Sequence, residues 1–170
     1  MVYRRRVDTE TLRTAQAPLK AHYRENPAAA VITLRAEGEL GTEDVACNVA
    51  TGRGLVAAGL HPGTGGTGQF VCSGDMLLQA LVACAGVTLR AVATNRGIDV
   101  SGTVRAEGDL DFRGTLGLAN DAPVGFAAIR LSFDLTSDAS AEDIDALIET
   151  TEKYCVVYQT LASSPELSVR

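Results

Sequence analysis

The sequence predicts an α+β fold, and three observations predict it. Short segments of alternating apolar and polar residues, broken by tight turns, run through residues 30–58 and 98–135, as half-buried strands do. Two helical patterns stand apart from them, an apolar one over Met76–Ala93 and an amphipathic one over residues 141–155. Strands and helices come in groups rather than in strict alternation, which points to α+β and away from a parallel α/β sheet. The 170 residues suit one domain, residues 1–28 forming an N-terminal helical extension and 29–170 the core.

In order along the chain, residues 8–25 read as a polar helix, kinked near Pro18 and ended by the Asn26-Pro27 turn. Ala30–Ala36 alternates as a strand, Gly38–Thr42 reads as a turn, and Asp44–Thr51 as the next strand. The Gly52-Arg53-Gly54 turn leads to a short apolar strand through Ala58, so an antiparallel meander is expected. Residues 59–70 are a glycine-rich loop. From Met76 to Ala93 the chain is apolar on nearly every side, the mark of a core helix; it is too interrupted for a membrane span. Ser73 can cap it, Asp75 suits the first turn, and Gly97 can close it. Ile98, Val100, Val104 and Ala106 alternate with polar residues, a short strand segment is expected near Leu110–Phe112, and Ile129, Leu131, Phe133 and Leu135 give the cleanest period of two. A capping box at Ser140-Ala141-Glu142-Asp143 opens a helix whose apolar stripe is Ile144, Leu147, Ile148, Thr151 and Cys155. A last short strand is expected at Leu167–Val169.

Composition narrows the function. The net charge of −6 disfavours nucleic acid and anionic membranes as partners. The one basic run, Arg4-Arg5-Arg6, lacks the apolar stretch of a secretory signal, so a cytoplasmic location is expected. There the four cysteines, Cys47, Cys72, Cys84 and Cys155, would be thiols, and any disulfide would be catalytic rather than structural. No CxxC occurs and the only histidines are His22 and His61, so neither a zinc site nor any other metal or cofactor is expected. The loop at 59–70 lacks the Gly-Lys-Ser/Thr ending of a phosphate loop. His61 reads as an exposed loop histidine.

Cys84 lies midway along the apolar helix, and Cys155 faces inward from the last one. Free cysteine is among the most buried residue types, so each alone is as well explained by packing. As a pair on the two main helices they permit redox chemistry, in which a sulfenic acid on one is trapped as a disulfide by the other. Apolar walls alone would leave Cys84 inert, and Thr88 is the one hydroxyl on its helix face. Asp75 lies about 13 Å from Cys84 along the helix axis and on the other side of it, so it either serves the helix N-terminus or joins the Cys84 site only through a bridging cation or a second subunit. Cys47 and Cys72 read as structural.

The run SGDMLLQALVACAGVTLRAVA with its mid-helix cysteine, together with EKYCVVYQTL at residues 152–161, resembles the two cysteine helices of the OsmC/Ohr family over roughly residues 29–170. The resemblance implies an OsmC-like fold, with antiparallel sheets around two central helices, and an intertwined homodimer with its reactive site at the subunit interface. It implies a thiol-dependent peroxidase acting on organic hydroperoxides and reduced by a dithiol such as a lipoylated protein. Cys84 matches the peroxidatic cysteine and Cys155 the resolving one. The family's glutamate falls on Gly74, with Asp75 one place along; its arginine falls at Glu39-Leu40, with Arg35 and Arg53 the nearest candidates; its proline after the second cysteine is Val156. The expected catalytic set is therefore Cys84, Cys155, Asp75 and Arg35 or Arg53. The alternative is a non-catalytic protein of the same fold that binds a hydrophobic or thiol-containing small molecule.

Overall fold

A computed structural model describes residues 9, 10, 13, 14, 16, 17, 21, 25, 26, 38–40, 46–50, 55–118 and 120–169. The architecture is mixed, helices with small sheets, as the α+β expectation had it. The described residues between 9 and 25 are helical, in line with the N-terminal helix; the kink read at Pro18 and the strand read over Ala30–Ala36 lie outside the described residues. By its internal contacts the chain divides into two compact units, residues 1–33, 83–104 and 133–170 in one and 34–82 and 105–132 in the other.

The second unit holds a four-stranded sheet in the order β1 (Gly38–Leu40), β2 (Ala46–Ala50), β3 (Leu55–Gly59), β4 (Val71–Cys72). The first three form the expected antiparallel meander, with Asn48 opposite Glu39 on one side and Ala57 on the other. Gly38–Leu40, read as a turn, is instead a strand, because its backbone completes a ladder with Val49, Asn48 and Cys47. The glycine-rich loop is also more ordered than its composition suggests. It contains a 3-10 turn at Pro62–Thr64 and returns as β4, parallel to β3, with Val71 beside Ala58. A parallel return needs a crossover, and this loop supplies it.

The apolar segment forms α1 (Ser73–Arg96), with Asp75 in its first turn. It ends in a Schellman arrangement: Ile98 N–H donates to Ala93 C=O at 2.9 Å and Gly97 N–H to Thr94 C=O at 3.2 Å, with Gly97 at φ 71°. Two side chains from the N-terminal helical residues add to that end, Thr9 Oγ1 donating to Thr94 C=O at 2.6 Å and Arg13 to Asn95 C=O at 3.0 Å. Only one face of α1 is buried. Leu81, Ala85, Leu89 and Ala93, four residues apart, are 5% exposed or less, whereas Val87 is 72% exposed. The helix is long and apolar enough to cross a membrane, yet this face is packed against protein.

After α1 come β5 (Ser101–Leu110), a short α2 (Phe112–Thr115) where a strand segment was expected, and β6 (Phe126–Thr136). Asp111 turns the chain by accepting from Arg113 N–H, which starts α2 in place of a longer strand. The alternation holds along β6: Ile129, Leu131, Phe133 and Leu135 are sheltered and Arg130, Ser132 and Asp134 exposed. In the first unit, Gly102 (φ 134°) passes so close to β6 that a Cβ there would lie 2.0 Å from Asp134 C=O.

The last helical region is two helices, not one. α3 (Ala141–Tyr154) is capped by Ser140, whose Oγ accepts from Asp143 N–H at 3.1 Å and donates to the Asp143 carboxylate at 2.7 Å. It buries Leu147 completely in the first unit's core, with Leu89, Ala93 and Val100, backed by Phe133, Leu135 and Ile144. Cys155 then breaks the helix at φ −75°, ψ 108°, and α4 (Val156–Ala162) follows. Residues 164–169 form no strand; Leu167 and Val169 are open to solvent, with no partner edge beside them among the described residues.

Candidate functional site: a paired thiol at a helix break

Cys84 and Cys155 lie in the same unit and meet. Cys155 is completely buried and Cys84 half-buried, and both are free thiols. The Cys155 side chain hydrogen-bonds the Cys84 sulfur.

The helix break makes the site. Cys155 N–H still donates to Thr151 C=O at 2.8 Å, completing the last turn of α3, while its own carbonyl accepts from Gln159 N–H at 2.9 Å and begins α4. Cys155 is thus the N-cap of α4, and it makes no side-chain capping bond. The first amides of any helix lack intrahelical acceptors. Here they lie by sulfur: the amides of Val156 and Val157 favour charge on Cys84, and those of Val157 and Tyr158 favour it on Cys155 without making a capping bond. Thr88, one turn along α1 from Cys84, adds its hydroxyl.

These contacts divide the two thiols. Burial pushes the Cys84 thiol up, but the amide of Val157, the Cys155 thiol, the amide of Val156 and the Thr88 hydroxyl together outweigh it, and its pKa falls below the ordinary thiol value. At Cys155 burial also pushes up, and the developing charge on Cys84 adds to it beyond what the amides of Tyr158 and Val157 relieve, so this thiol stays protonated. The pair is one nucleophilic sulfur and one neutral sulfur that donates to it. A lowered pKa next to helix-terminal amides is the setting in which thiols react.

The sequence foresaw the two sulfurs and Thr88 but not the backbone donors. A helical stripe reaching Cys155 concealed the break. The signal was the run Tyr154-Cys155-Val156-Val157-Tyr158, rich in residues that favour extended backbone. Of the other expected catalytic residues, Arg35 and Arg53 lie outside the described residues. Asp75 is exposed and lies in the other unit, where it lines a cavity of about 230 Å³ together with His61 and Cys72. No cluster of three or more histidine, cysteine or acidic residues that could hold a metal occurs among the described residues.

A family model described as OsmC-like protein matches residues 66–170, which carry both cysteine helices and all of this site. The chain belongs to the OsmC-like family. No curated protein matches it. Among solved structures, an OsmC-like protein from Mycoplasma pneumoniae shares the fold with a TM-score of 0.66 at 19% identity, over 78% of this chain and 89% of that one. An organic hydroperoxide resistance protein OsmC from Legionella pneumophila matches at a TM-score of 0.57 and 16% identity, over 79% and 92%. An organic hydroperoxide resistance protein from Elizabethkingia anophelis matches at 0.59 and 16%, over 79% and 91%. At such identities the likeness is one of fold, and it gives the OsmC-like chain the same α+β architecture.

Proposed function

We propose that this OsmC-like protein is a thiol-dependent peroxidase that reduces organic hydroperoxides. The observation that carries the proposal is the polarised pair, Cys84 with its pKa lowered and Cys155 with its pKa raised, the second donating to the first. The names of the Legionella and Elizabethkingia structures, both organic hydroperoxide resistance proteins, agree with it.

The Cys84 thiolate attacks the distal oxygen of ROOH. An S–O bond forms, the O–O bond breaks, and the alkoxide takes a proton to leave as the alcohol. Cys84 is then a sulfenic acid. Cys155, deprotonated as it reacts, attacks that sulfur; an S–S bond forms and the hydroxyl leaves as water. A dithiol reductant restores both thiols by two exchange steps, ending as its own disulfide. Val156 and Val157 hold the attacking sulfur through backbone amides, which lose no donor strength to protonation state.

The protein works as a homodimer in the cytoplasm, in this proposal. The supporting observation is Val87, 72% exposed on a helix that is apolar nearly all round. A second copy covers such a surface more favourably than water does.

Turnover of cumene hydroperoxide with dihydrolipoamide, followed in the wild type, Cys84→Ser and Cys155→Ser, tests the chemistry. Activity lost in Cys84→Ser, with Cys155→Ser arrested after one equivalent of peroxide, is the expected result. A wild type that consumes no peroxide overturns it and leaves a binding protein on the same scaffold.

A further inference from the structure

The unit containing residues 34–82 and 105–132 carries a hollow built differently from the paired thiols. It is the cavity of about 230 Å³ lined by His61, Cys72, Asp75, Phe112 and Phe126, with Leu78 and Leu110 behind them. We propose that it binds a small planar aromatic cation, one ring with an amidinium or ammonium head. The proposal is independent of the peroxidase chemistry.

Its flat walls are fixed by glycines. A Cβ at Gly108 would lie 2.5 Å from the Phe126 ring, and one at Gly63 would lie 2.6 Å from the Phe112 ring. Each ring leans directly on backbone, and any side chain at either position would push it away. The His61 ring stacks on Phe112 with centroids 4.9 Å apart and 28° between planes. Its Nδ1 accepts from Gly63 N–H at 3.0 Å, so the proton of the neutral ring sits on Nε2. Three conjugated rings held this way favour a flat guest.

The head group follows from charge. Asp75 is the one formal charge among the described lining residues, which include no lysine or arginine. A carboxylate beside aromatic faces attracts a cation twice, once by its charge and once through the negative ring faces. The size follows from volume, since drug-sized ligands occupy roughly 300–1,000 Å³ and this space suits a single ring. Gly74 keeps it open: a Cβ there would sit at ordinary distances, 3.4 Å from Phe126 and 3.6 Å from the Cys72 sulfur, so the position accepts a side chain that would fill the hollow.

Benzamidine, benzyl alcohol and benzoate are suitable probes, titrated into the full chain and followed by the backbone amide resonances of Gly74, Gly108 and Phe126. Benzamidine is expected to bind about fivefold or more tightly than benzyl alcohol, and benzoate more weakly than either. Asp75→Asn should remove that order, and Gly74→Leu should abolish binding of all three. Bound benzamidine should also slow alkylation of Cys72, read by peptide mass mapping. Benzoate binding as well as benzamidine, an unchanged order in Asp75→Asn, or no perturbation at these amides overturns the proposal. Where Gly74→Leu fails to fold, the Asp75→Asn titration and the Cys72 protection decide.

Discussion

Replacing Val156 with proline should slow Cys84 chemistry while leaving the fold in place. Four donors hold the Cys84 sulfur, and the Val156 amide is one of them. Proline removes that N–H and nothing else the helix needs, because the amide at the first helical position has no intrahelical acceptor. The preceding residue also tolerates the change: Cys155 already sits at φ −75°, ψ 108°, within the extended region that proline imposes on its predecessor. The Val156 side chain is 70% exposed, so its loss costs little packing. One hydrogen bond to a half-buried anion is worth about 1 kcal/mol net, or about fivefold in the thiolate population at a pH where the thiol predominates. The sign is fixed: losing a donor to the charged form raises the Cys84 pKa and lowers its reactivity at neutral pH. Iodoacetamide alkylation of Cys84, measured against pH by peptide mapping, reads this directly. Val156→Ala, which keeps the amide, should match the wild type, and Val156→Pro should show a midpoint moved to higher pH. Equal profiles for the two variants would refute a role for this amide.

Four further outcomes are expected. Cys155→Ala should move the Cys84 alkylation midpoint to higher pH by removing a thiol donor, while Cys155→Ser, which keeps a hydroxyl, should move it less. Leu147→Ala should destabilise the protein by about 2–5 kcal/mol, because Leu147 is fully buried and its removal leaves a cavity; denaturant titration measures it. Gly102→Ala should cost more than substitution of an exposed, uncrowded glycine, since its Cβ meets Asp134 C=O at 2.0 Å and φ is 134°, and thermal melting against Gly125→Ala, where nothing is crowded, makes the comparison. Ser140→Ala should lose about 1 kcal/mol through the α3 cap.

Periodicity alone carried the strands and the caps. Ile129 to Leu135 alternate in the structure as they do in the sequence, and Ser140 and Gly97 bound their helices through the contacts that their residue types favour. Features set by pairing partners elsewhere were not legible. Gly38–Leu40 looks like a turn until Val49, Asn48 and Cys47 offer it a ladder. Apolarity over the whole circumference of α1 does not tell which side protein covers; Leu81 and Val87 are equally apolar and oppositely exposed. For the site, side chains were readable and backbone was not. Cys84, Cys155 and Thr88 announce themselves by type and spacing, whereas an amide N–H is the same at every residue, and only the break at Cys155 aims two of them at one sulfur.

The hydroxyl of Thr9 and the guanidinium of Arg13 reach the closing carbonyls of α1, yet the family signature begins only at residue 66. A fragment trimmed to that signature would lose both donors, leaving Thr94 C=O with Gly97 N–H alone and Asn95 C=O to water, so that the far end of the rod that carries Cys84 rests on its glycine closure only. Thr9 and Arg13 thus act as a clasp on the end of the reactive helix, from outside the stretch by which the family is recognised.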